Sequence, residues 1–427
     1  MTSSKTLGSN ASIQHPASSI QHPAHHFNES DRLFRLPFSP IVTSRLVRAS
    51  WWGTICFVYP RCACNANKRS VSMTGRHVIE QWRKAPRLTT LAQFFERTAS
   101  GLGGAPDRAT PTVDLSLLDF DLECVVFSDT HRSLWGPFDK HYFASIPYRL
   151  EEECRIGSSF LSTGLKRWAK TGIPAKIYTL GTGTGCLART LAKLGGGRIQ
   201  TLCCSPTIAN RTAFNESRGS PHAYFFHGPF FDLDEERYVA DPELAHFREG
   251  FDILMEDTTF QMYDRDRVSQ LDFIAPRIRP GGLLVQVQKL ANPDDSVYQA
   301  RERQKDELFK SRYFSTSRIS DKRNEVLDTM DNLQVDLETT AAALGAFFRY
   351  SVLVWNSGNF YTIVSSNARQ AVVDFVTQML KPAIPPSYCY LALPTALNDT
   401  PSQPIGPALK WRNANSIVDA LPHLVAS

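Results

Sequence analysis

Three groups of residues in this 427-residue chain have the types and spacing for chemistry. The first is the run Leu180-Gly181-Thr182-Gly183-Thr184-Gly185. A glycine-rich turn between a strand and a helix lets the backbone approach a nucleotide and aims helix N-terminal amides at it. The dinucleotide fingerprint sets its third glycine one residue later, where this chain has Cys186, which argues against NAD or FAD. The second group is the carboxylate pair Glu256-Asp257, followed by Thr258-Thr259-Phe260-Gln261-Met262-Tyr263. Adjacent carboxylates beside hydroxyls and aromatics at a strand's carboxyl end suit an active-site rim where a proton is removed. The competing reading has one of them capping the next helix and the other in solvent. The third group is His131, His141 and His227, alternative bases, although a lone histidine is more often a packed polar residue.

These groups need elements to hold them. Apolar periodicity predicts strands at 176–180, 198–204, 222–226, 251–255 and 283–289, with helices at 187–194, 206–217 and 266–277 between them. That alternation is the signature of a parallel sheet covered on both faces. Segments 347–355 and 360–365 bracket Asn356-Ser357-Gly358-Asn359, a hairpin signal, so an antiparallel pair closes the sheet. Upstream, Val78, Ile79 and Trp82, then Leu91, Phe94 and Phe95, recur at helical spacing, and 151–171 reads as an amphipathic helix. Residues 73–150 are expected to form an N-terminal helical cap. The stretch 298–313 sets Arg301, Arg303, Lys305, Lys310 and Arg312 against Glu302, Asp306 and Glu307. It reads as a solvated helix face with internal pairs; the sharper alternative is a lid lined by Phe309, Tyr313 and Phe314.

Composition narrows the partners. The formal charge is +5, yet residues 1–72 alone carry eight Lys and Arg against Glu29 and Asp31, so the remainder is close to neutral. A nucleic-acid enzyme concentrates basic residues on its working face, and nothing here does so, which disfavours RNA or DNA. The nine cysteines are spread thinly and read as reduced thiols of a cytoplasmic protein. Neither Cys62-Ala63-Cys64 nor Cys203-Cys204 has zinc-type partners at ligand spacing, so no metal is expected. No apolar run reaches the ~18–20 residues of a membrane span. Residues 1–72, with twelve serines and few acids, are expected to be disordered, to form an organelle-targeting segment, or to precede a true start at Met73. Residues 381–427 read as an extended C-terminal tail.

Ile177-Tyr178-Thr179-Leu180-Gly181-Thr182-Gly183-Thr184-Gly185 resembles motif I of the class I S-adenosyl-L-methionine (SAM)-dependent methyltransferases. Phe251-Asp252-Ile253-Leu254 resembles the family's fourth strand, and Ile278-Arg279-Pro280-Gly281-Gly282-Leu283-Leu284-Val285 its loop and fifth strand. The resemblance covers roughly residues 150–366. It implies an α/β, Rossmann-like methyltransferase fold, a seven-stranded mostly parallel sheet with a reversed last strand. The methyltransferase domain then spans 151–380, with a helical insertion at 291–346. SAM lies across the carboxyl ends of strands one and two, and the acceptor enters above strands four and five. Carried onto this chain, the cofactor positions are Thr179, Gly181, Thr182, Gly183, Thr184 and Gly185, then Cys203 and Ser205, Pro229 and Phe230, and Glu256.

Three of those positions depart from the family, which usually has carboxylates where this chain has Thr179 and Cys203 and often has one where it has Pro229. A carboxylate accepting two ribose hydroxyls is a stronger acceptor than a thiol. The departures imply weakened cofactor binding, with Ser205 accepting one hydroxyl and Thr179 acting through water. Methyl transfer from a sulfonium is an in-line displacement, in which the enzyme positions the acceptor and removes a proton from O or N nucleophiles. Glu256, Asp257 and His131 are the candidate catalytic residues. The Asn/Asp-Pro-Pro-Tyr/Phe and Pro-Cys signatures of base methylation are absent. The expected function is SAM-dependent methyl transfer to a small-molecule or natural-product acceptor; the alternatives are a degenerate, partner-binding protein of this fold and a protein or RNA methyltransferase.

Overall fold

Strands that are apolar on both faces fold only where both faces are covered. In this chain the alternate residues of such strands divide between two hydrophobic clusters. Tyr178, Leu180, Leu202, Leu254, Leu284 and Ile363 join one, and Ile177, Ile253, Met255, Val285 and Val364 join the other. The computed structural model describes residues 73–415; the expectations for 1–72 and for 416–427 fall outside the described residues. The strands are β1 (Ala175–Leu180), β2 (Ile199–Ser205), β3 (Ala223–His227), β4 (Phe251–Asp257), β5 (Ile278–Lys289), β6 (Tyr350–Ser357), β7 (Phe360–Ser366) and β8 (Thr395–Asn398).

They form one sheet in the order β3-β2-β1-β4-β5-β7-β6-β8. The first five run parallel, whereas β7 is antiparallel to both β5 and β6. The first seven strands therefore have the expected arrangement, with the reversed strand wedged between β5 and β6. The eighth was not expected. Residues 381–415 do not trail off as an extended appendage: β8 pairs antiparallel with β6, and Arg412 makes ion pairs with buried Asp121 at 2.6 Å and with Glu123 at 3.5 Å. An unpaired β6 edge would leave backbone groups open to pairing, and β8 covers it.

The helices before the sheet are α1 (Met73–Arg83), α2 (Ala92–Ala99), α3 (Leu122–Ser133), α4 (Pro137–Phe143) and α5 (Arg149–Thr171). Within the sheet's connections lie α6 (Cys186–Gly195), α7 (Ile208–Glu216), α8 (Glu235–Ala240) and α9 (Arg267–Ile274). The insertion between β5 and β6 holds α10 (Asp295–Gln304), α11 (Thr316–Lys322), α12 (Asp328–Asp331) and α13 (Leu337–Gly345), and α14 (Arg369–Val376) follows β7. Two π turns, at Lys305–Phe309 and Arg323–Leu327, interrupt the insertion. Trp82 of α1 packs on Phe230 and Phe231 after β3. Glu96 of α2 accepts from the amides of Ile208 and Ala209, in the first turn of α7. Among the described residues no helix is long and apolar enough to cross a membrane.

α5 is unusual in burying five charged residues, Arg149, Glu151, Glu152, Glu153 and Arg155. Arg155 binds Glu152 through two nitrogens, at 2.7 and 3.0 Å, and donates to the carbonyls of Leu380 and Val354. This one guanidinium joins α5 to β6 and to the segment after α14. Arg155→Met leaves Glu152 as a buried carboxylate without its cation, so urea denaturation should show a loss of about 3–5 kcal/mol. A loss under about 1 kcal/mol would show that the pair does not hold these elements together.

Candidate functional site

β1 ends at Leu180 and α6 begins at Cys186, and the chain between them passes through positive φ at Gly181 (72°) and Gly183 (57°). Space as well as conformation demands glycine there. A Cβ on Gly181 would collide with Thr259 Oγ1, and one on Gly183 would sit 2.6 Å from the Phe138 ring. Gly181, Thr182 and Gly183 form one wall of a cavity that opens to solvent at its mouth. Its other walls come from α2, α4, the ends of β2, β4 and β5, and the insertion.

The remaining cofactor candidates divide. Ser205 lines the cavity, its Oγ accepting from the amide of Thr207 at 3.2 Å and from Asn210 Nδ2 at 3.0 Å. Thr179 is buried and shares a 2.9 Å hydrogen bond with Thr182. Thr184 donates to Asp139 Oδ2 at 2.6 Å, tying the turn to α4. Gly185 packs on Cys203 Sγ, which donates to the carbonyl of Tyr224. Pro229 opens a short turn, and Phe230 packs among the rings of Trp82, Phe260 and Tyr263. Thr179, Thr184, Gly185, Cys203, Pro229 and Phe230 thus shape the site from behind its wall. Two lining residues that the sequence reading missed have free acceptors: Asn210 Oδ1 and Gln261 Oε1 are buried without a hydrogen-bond partner. One follows β2 and the other follows β4, and each is an acceptor that a hydroxyl or amino donor in the cavity would satisfy.

The two adjacent carboxylates have different surroundings. Glu256 Oε1 accepts from the amides of Thr259 (2.6 Å) and Phe260 (3.0 Å), and its Oε2 accepts from Gln288. Burial raises its pKa to about 7 against the pull of those amides. Glu256 caps the turn after β4 and does not line the cavity, whereas Asp257 does. Asp257 is not in solvent: Tyr142 donates to its Oδ1 at 2.5 Å and Arg149 to its Oδ2 at 2.8 Å. Burial pushes the Asp257 carboxyl up, opposed by the Arg149 guanidinium, and pushes the Tyr142 phenol well up, reinforced by Asp257. Arg149 also pairs with Glu153 at 2.5 Å, and Glu153 faces His131 Nε2 at 3.5 Å.

His131 therefore lies two ion pairs behind Asp257. It is fully buried, and its Nδ1 accepts from the Trp135 indole at 3.0 Å. His227 is exposed at the end of β3. His141 does line the cavity; its Nδ1 meets the carbonyl of Gly104 and its Nε2 meets Lys322 Nζ at 2.6 Å. Burial, then Lys322, hold the His141 pKa well below its usual range.

The insertion bears out only part of the expected solvated face: Arg303, Glu307 and Arg312 are exposed and the internal pairs Glu302–Lys305 and Asp306–Lys310 form, but those pairs turn inward. Glu302, Lys305, Asp306 and Lys310 are buried, and Lys305, Lys310 and Lys322 line the cavity together with Lys289 at the end of β5. The aromatics proposed as lid lining go elsewhere: Phe309 packs at an angle against Tyr148 and edge-on against Tyr313, and Phe314 edge-on against His141. A π turn adds a residue to one helical turn. Lys305 and Lys310, five apart, point apart on a regular helix but reach one face across the π turn at Lys305–Phe309.

A parallel sheet whose reversed seventh strand lies between the fifth and sixth, with a glycine turn after the first, gives this chain the class I methyltransferase fold. No family model matches the chain, and no curated protein matches it in sequence. Among solved structures it is similar to TnmH, at 14% identity, TM-score 0.31, covering 51% of this chain and 57% of TnmH. Thus the chain spans just over half of that protein. The mitomycin 7-O-methyltransferase MmcR aligns at 13% identity, TM-score 0.34, covering 69% of this chain and 72% of MmcR. Human N-acetylserotonin methyltransferase, solved with SAM, aligns at 13% identity, TM-score 0.32, covering 70% and 68% respectively.

Tyr142→Phe removes one donor from a buried carboxylate while keeping the ring. Urea denaturation should show a loss of about 1–3 kcal/mol. An unchanged stability would mean that Tyr142 does not hold Asp257.

Proposed function

We propose that the protein is a SAM-dependent methyltransferase acting on a small-molecule acceptor. The observation that carries this reading is the single cavity that joins the glycine turn at Gly181–Gly183 to Asp257, Tyr142 and the insertion. When bound, SAM supplies a methyl group on a sulfonium, open to in-line attack. Gly181 and Gly183 give the backbone close approach, and Asn210 after β2 and Gln261 after β4 offer buried acceptors without partners. Arg149 carries one positive charge against the two carboxylates of Glu153 and Asp257, so the end of β4 favours a cation such as a sulfonium. Asp257 and Tyr142 are the groups on the cavity surface that take up or hold a proton from an acceptor hydroxyl. An interior cavity walled by Phe94, Phe138, Ile146 and Met330 suits a small apolar body better than a polymer.

A second reading follows from Thr179, Cys203 and Pro229, which put no carboxylate at the family's cofactor positions: a protein of this fold that binds a partner and transfers nothing.

Calorimetric titration of the full chain with S-adenosylhomocysteine separates the two readings. Saturable binding is expected, and Gly183→Arg, which drives a side chain into Phe138 at a positive φ, should abolish it. Absence of heat at millimolar ligand, with the chain folded by circular dichroism, would sink the methyltransferase reading in favour of the second.

A further inference from the structure

Buried charge must be matched by opposite charge or lost as protons. At the insertion end of the cavity the match is incomplete. Glu302 lies between Lys289 (3.1 Å) and Lys305, and Asp331 takes a second contact from Lys289 at 2.8 Å. Asp306 serves Lys310 at 2.8 Å and Arg323 at 2.6 Å. Lys322 meets no carboxylate; it donates to His141 Nε2 and, at 2.8 Å, to Ser145 Oγ. Four cations thus share three carboxylates and Lys322 has none, an excess of two positive charges in the cluster when all five are protonated. Four of the five, all but Arg323, line the cavity.

From this imbalance we infer that the insertion end of the cavity is a binding subsite for an anionic group, a carboxylate or phosphate, on the acceptor, held by Lys305, Lys310 and Lys322. The inference rests on the methyltransferase reading only for calling the ligand an acceptor. The apolar body attached to that group lies against Val326, Leu327 and Met330, which line the same end. The two ends of the cavity then have opposite preference, with excess carboxylate beside Asp257 and excess ammonium beside Lys322. A ligand with an apolar body and an anionic group is oriented by that difference.

Protonation supports the assignment. Burial, then Lys305, lowers the Lys310 pKa to about 7, opposed by Asp306 and Glu302 from the same run. Burial, then Lys310 and Lys305, holds Lys322 well below its usual range; it also faces His141 from α4 and Lys289 from β5. An anion requires the ammonium form, so affinity should fall as pH rises through about 7 and Lys310 loses its proton.

The test titrates the full chain with benzoate and with phenyl phosphate, using benzylamine as a cation of similar size, in the presence of S-adenosylhomocysteine and again without it. At least one anion should saturate at pH 6.5, weaken at pH 8.5 and outbind benzylamine. Lys310→Gln and Lys322→Gln should each weaken the anion about tenfold or more, Lys322→Arg should largely restore it, and S-adenosylhomocysteine affinity should stay unchanged. Benzylamine binding as tightly as the anions, anion affinity unmoved by both glutamine variants, or no anion binding at all would overturn the inference. So would equal weakening of S-adenosylhomocysteine, which would assign the lysines to the cofactor's own carboxylate. Anion binding that persists where S-adenosylhomocysteine fails to bind would sink the methyltransferase reading and leave the subsite standing.

Discussion

Arg149 is the interaction on which the site's geometry depends. Its guanidinium is fully buried near the start of α5, where it meets Glu153 on its own helix and Asp257 at the end of β4. Burial disfavours its charge, but Asp257 and Glu153 more than restore it, and its pKa stays well above the ordinary arginine value. Because a buried guanidinium without carboxylates is strongly unfavourable, α5, β4 and, through Tyr142, α4 are held in one register. α4 in turn places Phe138 against Gly183 and Asp139 on Thr184, so the glycine turn inherits its position from the same network.

Periodicity made the frame legible. Strands with alternate residues in two clusters, glycines at a strand-to-helix turn and the Asn356–Asn359 hairpin each follow from local rules, and they placed β1 to β7. β8 was illegible because its reason lies in β6, whose edge needs a partner, while its own Pro- and Ala-rich surroundings read as appendage. The site was less legible than the sheet. Glu256 and Asp257 are adjacent and chemically alike, and pattern alone cannot tell which turns back to cap Thr259 and which faces the cavity. His131 was singled out for its residue type, yet its partners Trp135 and Glu153 make it a packed polar group.

The lysines were misread for a different physical reason. Charge pairing along a helix is counted at spacings of three and four, and the run from Arg301 to Arg312 satisfies that count as a solvated face. Two π turns change which side chains share a face. Neither has a proline or glycine to announce it: their sequences are Lys-Asp-Glu-Leu-Phe and Arg-Asn-Glu-Val-Leu. Leu308 is exposed while Lys310 is buried, the reverse of what hydrophobicity alone would order. Such inversions arise where charges have partners inside, and they are visible only once the partners from β5 and α4 are in place.

The N-terminal segment deserves to be counted as part of the site. Arg87 lies 4.0 Å over Phe95, donates to Thr207 Oγ1 at 2.7 Å and lines the cavity, and Glu96 gives the first turn of α7 a carboxylate from a different element. Cys203, at the position where the resemblance implies an acid, is buried beneath Gly185, with its thiol pKa held well up by burial. The cap has thus brought a carboxylate, an arginine and an aromatic ring to the end of β2, where the sheet itself offers only Ser205 to the cavity. Fold and chemistry are accordingly divided between segments: the sheet positions the glycine turn and Asp257, while residues before β1 and between β5 and β6 decide the charge and shape of what can lie beside them.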